Sequence, residues 1–119
     1  MTESSGSDPF MRGVALFNQR RFFECHEVWE ELWKPSTGEM RRLYQGLIQA
    51  AAALHHASRG NRAGALSVWS KAKVKLELSP SQHRGLSIVE LCVDLKNYFE
   101  SERLDDPPRL KPARLRNDS

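Results

Sequence analysis

The sequence predicts an all-α protein, a single-domain and mostly antiparallel bundle of about five helices. Apolar residues recur at helical spacing along most of the chain, and no segment shows a credible alternating strand pattern or an internal repeat. Short connections between the helical stretches favour antiparallel neighbours. The 119 residues, 39% of them hydrophobic and 28% charged, are typical of one globular domain. A chain of this length can bury a core without a metal or a disulfide.

The first two predicted helices lie on either side of a break near Arg20. Asp8 followed by Pro9 is typical of a helix start, because the carboxylate can cap free amides and proline fits the first helical position. The second helix is predicted over residues 22–34. It ends before Pro35, since proline has no N–H to continue the hydrogen-bond ladder.

Capping signals predict the next two helices. Ser36 and Glu39 have the spacing of a capping box, which would open a third helix that extends to about residue 59. Gly60 is a favourable helix end and Asn61 a favourable helix start, so the fourth helix should follow at once. Pro80 marks its end.

A second capping box, from Ser87 to Glu90, opens the predicted fifth helix after a polar link. These elements together predict a helical domain over residues 8–104. We expect residues 1–7 to be a flexible N-terminus. Residues 105–119 contain proline and several arginines but few large apolar groups, so they are predicted to be a flexible basic tail.

Composition and charge exclude several classes of protein. The longest apolar stretch, residues 47–54, is interrupted by Gln49 and is far shorter than the roughly 20 residues that span a bilayer. The N-terminal residues do not form a secretory signal, so we expect a cytoplasmic protein. A net charge of +3 is too small to predict nucleic-acid binding. Cys25 and Cys92 form no C-x-x-C pair, which argues against a zinc ribbon or a redox motif.

The second helix contains the candidate catalytic residues, His26 and Glu30. At about 100° per residue, these two side chains fall roughly 40° apart and have aromatic residues on both sides. Glu24, Glu27 and Glu31 cluster on a separate acidic strip and are expected to be surface charges. A carboxylate inside an apolar stripe costs several kcal/mol unless it is paired, so we expect Glu30 to pair with His26.

Two hypotheses for this pair remain open. In the first, His26 and Glu30 form a buried structural network within a non-enzymatic interaction or scaffold domain. In the second, they bind a divalent metal ion (zinc, manganese or iron) or move a proton, because imidazole and carboxylate one turn apart can reach the same ion. Glu30 would then be a ligand or general base and His26 a ligand or proton carrier.

The third helix is the expected source of further ligands. One narrow stripe of its surface is polar, and it comprises Arg42, Gln45, Gln49 and His56. We expect this stripe to face the second helix, with His56 as the third metal ligand and Gln49 as an orienting or weaker oxygen ligand. Gln45 is a further candidate binding residue, whereas His55 is expected to point to a different side. Trp33 would form an aromatic wall of the site.

These residues also carry a family resemblance. The pattern H-x-x-x-E-x-x-[WY] is present as His26, Glu30 and Trp33, and it is followed by the segment Gln45-Gly46-Leu47-Ile48-Gln49. Over roughly residues 10–78 the chain resembles the domain-of-unknown-function family 309. The resemblance implies a small all-helical array whose motif is suspected of metal binding and has no assigned reaction.

The chain departs from that family at two positions. Arg20 stands where the family usually has glycine, and Cys25 often corresponds to alanine. Cys25 is expected to be a small core residue. As partner we expect a small molecule or another protein; we expect neither a membrane nor nucleic acid. Apolar surface on the first and fifth helices leaves a homodimer open.

Overall fold

In a computed structural model, which describes residues 8–101 and 106–110, five helices account for most of the described chain. They are α1 (Pro9–Asn18), α2 (Phe22–Trp33), α3 (Gly38–Ser58), α4 (Arg62–Glu77) and α5 (Ile88–Glu100). The prediction of an all-α protein with about five helices is therefore confirmed. A short antiparallel hairpin, β1 (Gln82–His83) and β2 (Leu86–Ser87), joins α4 to α5 at a link where no strand was predicted.

Side-chain caps confirm three of the predicted helix starts. In each case a backbone N–H two or three residues further on donates to the capping oxygen: Phe10 to Asp8 at 3.1 Å, Gly64 to Asn61 at 2.9 Å and Glu90 to Ser87 at 3.1 Å. The local sequence therefore determines where α1, α4 and α5 begin, because each cap satisfies an amide that the helix cannot.

The predicted capping box at Ser36 and Glu39 is wrong. The residue that precedes α3 is Thr37, and its side chain makes no capping hydrogen bond. The Ser36 hydroxyl instead donates to the carbonyl of Leu32 at 2.7 Å, near the end of α2. Gly38 has φ of 60°, a left-handed conformation that glycine adopts without steric cost. Helix α3 therefore begins at Gly38, and the Ser36 side chain belongs to the end of α2 and does not cap α3.

Helix α3 is the central element and packs against both α2 and α4. The core also includes the inner faces of α1 and α5, and its largest fully buried side chain is Trp29 on α2. Cys25 is completely buried, as predicted for a core residue, and burial raises the pKa of its thiol. Among the described residues, no helix has the length and hydropathy that a bilayer span requires.

The turn between α1 and α2 contains a residue in an unusual backbone conformation. Arg20 has φ of 67°, in the left-handed region that favours glycine. Glycine would adopt this conformation without the steric cost that a Cβ atom brings. The arginine side chain forms an ion pair with Asp106 at 3.0 Å.

Part of the predicted tail packs onto this turn. The Asn18 side chain accepts a hydrogen bond from the Leu110 backbone N–H at 2.8 Å and donates one to the Leu110 carbonyl at 3.1 Å. The Leu110 side chain is buried. Residues 106–110 of the predicted tail thus make specific contacts with the α1–α2 turn. The other predicted terminal segments, residues 1–7 and 111–119, lie outside the described residues, as do residues 102–105.

The β1–β2 hairpin connects α1 with α3 through His83. The Nε2 atom of His83 is 2.8 Å from the hydroxyl of Tyr44 on α3, and its ring lies edge-on to Phe10 on α1 with centroids 5.3 Å apart. Beside it, Arg84 forms an ion pair with Asp8. Burial, and secondly the charge of Arg84, lower the pKa of His83 below its usual 6.5.

This environment predicts a pH-dependent stability. Because the pKa of His83 is lower in the folded chain, the unfolded chain binds more protons below about pH 6.5, and stability falls as the pH falls. We expect the free energy of unfolding, measured by urea titration, to decrease from pH 7.5 to 5.5, and to decrease less in His83→Gln. Tyr44→Phe is the matched control, since it removes the hydrogen bond but keeps the titrating imidazole. Identical pH slopes in wild type and His83→Gln would contradict the assignment.

Candidate functional site

His26 and Glu30 lie one turn apart on the same side of α2. The Nε2 atom of His26 is 3.4 Å from the Oε2 atom of Glu30, and the side chains are 27% and 41% exposed. The two residues are therefore adjacent, as expected. The expectation that they are buried is not met, because solvent reaches both. Because solvent reaches the Glu30 carboxylate, this group does not need a buried partner. The pair is therefore an accessible polar site on the surface of α2.

An exposed aromatic residue joins this pair to the end of α3. The ring of Phe23 is 52% exposed and lies 5.8 Å from the His26 ring and 5.5 Å from the His55 ring. His55 was expected to point to a different side of α3, and that expectation is wrong. The axes of packed helices usually cross at an angle, so the beginning of α2 meets a different stripe of α3 than its end does.

His56, the predicted third ligand, has another contact. Its Nδ1 atom is 3.2 Å from the Nδ2 atom of Asn61, which lies just beyond the end of α3. The His55 and His56 rings are 6.4 Å apart. Within residues 8–101 and 106–110, no three His, Cys, Asp or Glu side chains are placed closely enough to hold a metal ion. The predicted set of His26, Glu30 and His56 is therefore not assembled in this structure.

Several predicted site residues carry buried polar atoms without a hydrogen-bond partner. Five such side-chain atoms occur in the described residues, and three of them belong to residues that the sequence predicted for the site: His26 Nδ1, Trp33 Nε1 and Gln49 Oε1. An unpaired buried polar atom costs about 1–3 kcal/mol, so such atoms rarely concentrate without a cause. Gln49 is half-buried like Gln45, whereas Arg42 is exposed, so only part of the predicted polar stripe is turned inward.

Trp33 has a structural contact that the sequence pattern did not predict. The guanidinium of Arg41 lies over its ring at 3.8 Å, and Arg41 also donates to the Trp33 carbonyl at 3.2 Å. The same Arg41 nitrogen donates to the carbonyls of Lys34 and Ser36, at 3.3 and 3.2 Å. Trp33 therefore helps to fix the turn that sets α3 beside α2, in addition to lying near the site.

Electrostatics distinguish the groups around Phe23. Burial, and then the nearby charges of Arg59, His56 and His26, lower the pKa of His55. A lowered pKa favours the neutral imidazole, which is the form that binds metals or accepts a proton. Glu24, Glu27 and Glu31 are exposed, as predicted for surface charges. Sequence reasoning placed aromatic residues beside His26 but did not assign Phe23 to the site, and it missed His55; an aromatic residue three positions before His26 shares its side of α2.

Comparisons with known proteins identify a matching family model and two relatives. The family model described as "Domain of unknown function (DUF309)" matches residues 10–68, which include α1, α2, α3 and the start of α4. An uncharacterised protein of Aquifex aeolicus (strain VF5) is 31% identical over 96 residues, 80% of this chain and 29% of that protein. The uncharacterised protein YpuF of Bacillus subtilis (strain 168) is 38% identical over 74 residues, 61% of this chain and 41% of YpuF.

The chain therefore spans less than half the length of either relative, and neither relative's printed description states a reaction, ligand or partner. The matched region contains His26, Glu30 and Trp33 as well as His55 and Phe23. Through residues 10–68, this chain belongs to the family described as a domain of unknown function, DUF309.

Proposed function

We propose that the protein binds a divalent transition-metal ion between His26 and Glu30. The observation that supports this is the distance of 3.4 Å between Nε2 and Oε2. Two ligand atoms bound tetrahedrally at about 2.0–2.1 Å from one zinc ion lie roughly 3.3–3.4 Å apart. A charge-assisted hydrogen bond between the same groups would bring them to about 2.7–2.9 Å. The observed spacing is thus compatible with a shared ion.

His55 is the third ligand in this proposal. Its imidazole and that of His26 both contact the Phe23 ring, and its lowered pKa favours the neutral form. Since three ligands are not assembled in the described residues, His55 must change its side-chain rotamer when the ion binds. His55 is half-buried, and rotation about its side-chain bonds is a far smaller motion than a movement of the helices.

The surrounding residues define what such a site could do. A zinc, manganese or iron ion with three protein ligands keeps an open position, where it supplies Lewis-acid chemistry to a small polar ligand. Phe23 gives the site an aromatic border at its exposed side. Gln49 provides a carbonyl oxygen that has no other partner, and it can orient a ligand group or a water molecule.

The alternative is an interaction domain in which His26 and Glu30 only stabilise the fold. The exposure of both side chains disfavours this, because exposed ion pairs contribute little to stability, typically 0–1 kcal/mol. The contacts of Arg41 with Trp33 are consistent with it, since they give one motif residue a structural role. The two hypotheses differ in what happens when Glu30 is replaced.

Titration of the untagged, metal-free protein with zinc, manganese and iron(II) tests the proposal. We expect binding at one ion per chain, and we expect His26→Ala, Glu30→Gln and His55→Ala each to weaken it by at least about 100-fold, because even a second-shell loss costs 10- to 100-fold. Binding should also weaken in acid, because metal ions bind the deprotonated form of their ligands.

Two matched controls keep the test specific. Glu27→Gln removes an exposed carboxylate from the same helix, and His56→Ala removes the histidine that contacts Asn61. Both variants should bind the ion like the wild type. No binding of any of the three metals, or equal affinity in Glu30→Gln and Glu27→Gln, would overturn the proposal.

A further inference from the structure

The end of α3 places a positive charge beside the candidate site. Arg59 follows His55 by four residues, so the two side chains lie on the same side of the helix end. The Arg59 guanidinium is also the charged group with the largest effect on the pKa of His55, ahead of His56 and His26. Sequence spacing and electrostatics therefore both place a cation next to the third ligand of the proposed metal site.

The guanidinium of Arg59 is available to a ligand. The residue is exposed, and within residues 8–101 and 106–110 its side chain forms no ion pair and no hydrogen bond. The C-terminal end of a helix attracts cations, which favours a basic residue at this position whatever its further role. All the N–H groups of this guanidinium nevertheless remain free to donate to another molecule.

The protein does not balance the positive charge of the proposed metal site. A divalent ion bound to Glu30 and to neutral imidazoles keeps a net positive charge, and Arg59 adds to it. The carboxylates of Glu24 and Glu31 are already paired with arginines of α1 and of the α1–α2 turn. Glu27 is exposed to water, which screens its charge. An anion at the open position of the ion would supply the missing negative charge.

A carboxylate or phosphate group has the shape that these two positive partners require. Each carries at least two oxygen atoms on one central atom, so one oxygen can bind the ion while another accepts from a guanidinium. Arginine is the side chain best suited to such groups, because its planar fork of N–H donors matches their geometry. The ion and Arg59 together therefore favour an oxyanion over a neutral ligand.

Phe23 indicates what the rest of the ligand is like. Its ring is 52% exposed and contacts the rings of both His26 and His55, at 5.8 and 5.5 Å between centroids. Small-molecule sites typically combine apolar or aromatic walls with a few polar groups that fix the orientation of the ligand. An anion bound beside these histidines would place its carbon skeleton next to the exposed Phe23 ring.

We propose that the ligand of this site is a small oxyanion, a carboxylate or a phosphate derivative, with an apolar body. One oxygen atom of the anion binds the open position of the ion, Arg59 donates to another, and Phe23 contacts the apolar part. This inference rests on the proposed function, because it requires the ion that His26, Glu30 and His55 would hold.

Isothermal titration of the zinc-loaded, full-length chain with phenylacetate and with phenylphosphonate tests the role of Arg59. We expect at least one of the two to bind, and the tighter one identifies the anionic group. Arg59→Gln should weaken its binding at least about 10-fold, because a charge-assisted hydrogen bond is lost. Arg42→Gln, which removes an exposed arginine at the other end of α3, is the matched control and should bind like the wild type.

Acetate and methylphosphonate, which lack the aromatic ring, test the role of Phe23. We expect each to bind about 10-fold more weakly than its phenyl counterpart, which is the effect of covering roughly 60 Å² of apolar surface. Phe23→Ala should abolish this difference. Circular dichroism verifies that each variant is folded, and zinc affinity is measured on the same samples. In Arg59→Gln the zinc affinity should not fall, because the substitution removes a positive charge.

The possible outcomes distinguish this inference from the proposed function. A chain that binds none of the three metal ions overturns both. A zinc-loaded chain that binds neither anion, or that binds them equally well in Arg59→Gln and Arg42→Gln, overturns the present inference and leaves the metal site standing. Equal affinities for the phenyl and methyl compounds in the wild type would contradict the apolar contact with Phe23.

Discussion

Replacement of Trp29 by alanine is expected to lower the free energy of unfolding by about 3–5 kcal/mol. The Trp29 side chain is fully buried where α2 meets α1. Its ring lies 6.3 Å from Phe10 and 6.2 Å from Phe17, between centroids. Its Nε1 atom also donates to the Phe10 carbonyl at 3.2 Å. The substitution therefore opens a cavity and removes one hydrogen bond to the Phe10 carbonyl.

Urea unfolding followed by far-ultraviolet circular dichroism measures this loss without depending on tryptophan fluorescence. Trp33→Ala is the matched control, because Trp33 is half-buried and its main partner is the Arg41 guanidinium. We expect Trp33→Ala to cost about 1 kcal/mol, in the range of a partly exposed cation–π pair. Equal losses in the two variants would show that the contact between α1 and α2 is not a main source of stability.

The fold could be predicted from the sequence wherever the determining interactions are local. Asp8, Asn61 and Ser87 cap helices through amides two or three residues away, so their spacing alone locates α1, α4 and α5. The start of α3 was predicted wrongly because contacts from outside the capping box determine it. Arg41 donates to carbonyls of the α2–α3 turn, and the Ser36 hydroxyl donates back to α2.

The most distant contacts were beyond sequence reasoning. Asn18 binds the Leu110 backbone across 92 positions of the chain, and no pattern near either residue indicates the other. The candidate site likewise has a part that local sequence predicts and a part that depends on distant contacts. His26 and Glu30 are adjacent because they lie on one helix, which helical periodicity predicts. Whether His55 or His56 lies near α2 depends on the angle at which α2 crosses α3, and the exposure of Glu30 depends on which elements pack over α2. Local sequence indicates neither.

At position 13 of α1, glycine is expected to give a more stable protein than alanine, which is the opposite of the usual order inside a helix. A glycine inside a helix is normally less stable than alanine by about 0.5–1 kcal/mol. A Cβ atom on Gly13, however, would lie 1.9 Å from Nε1 and 2.4 Å from Cδ1 of Trp29. Because the indole is fully buried, it cannot move aside without disturbing the core. We expect Gly13→Ala to destabilise the protein by about 2–3 kcal/mol, as overpacked cores do.

The same substitution should become favourable once the indole is absent. In the Trp29→Ala background the Cβ atom has space, so Gly13→Ala should stabilise the chain by about 0.5–1 kcal/mol through helix propensity. Urea unfolding of both single variants and the double variant gives their coupling energy. Ala15→Gly, at an exposed position of α1, is the control and should cost about 0.5–1 kcal/mol in both backgrounds. If Gly13→Ala is equally destabilising with and without Trp29, the contact between these residues is not what requires glycine there.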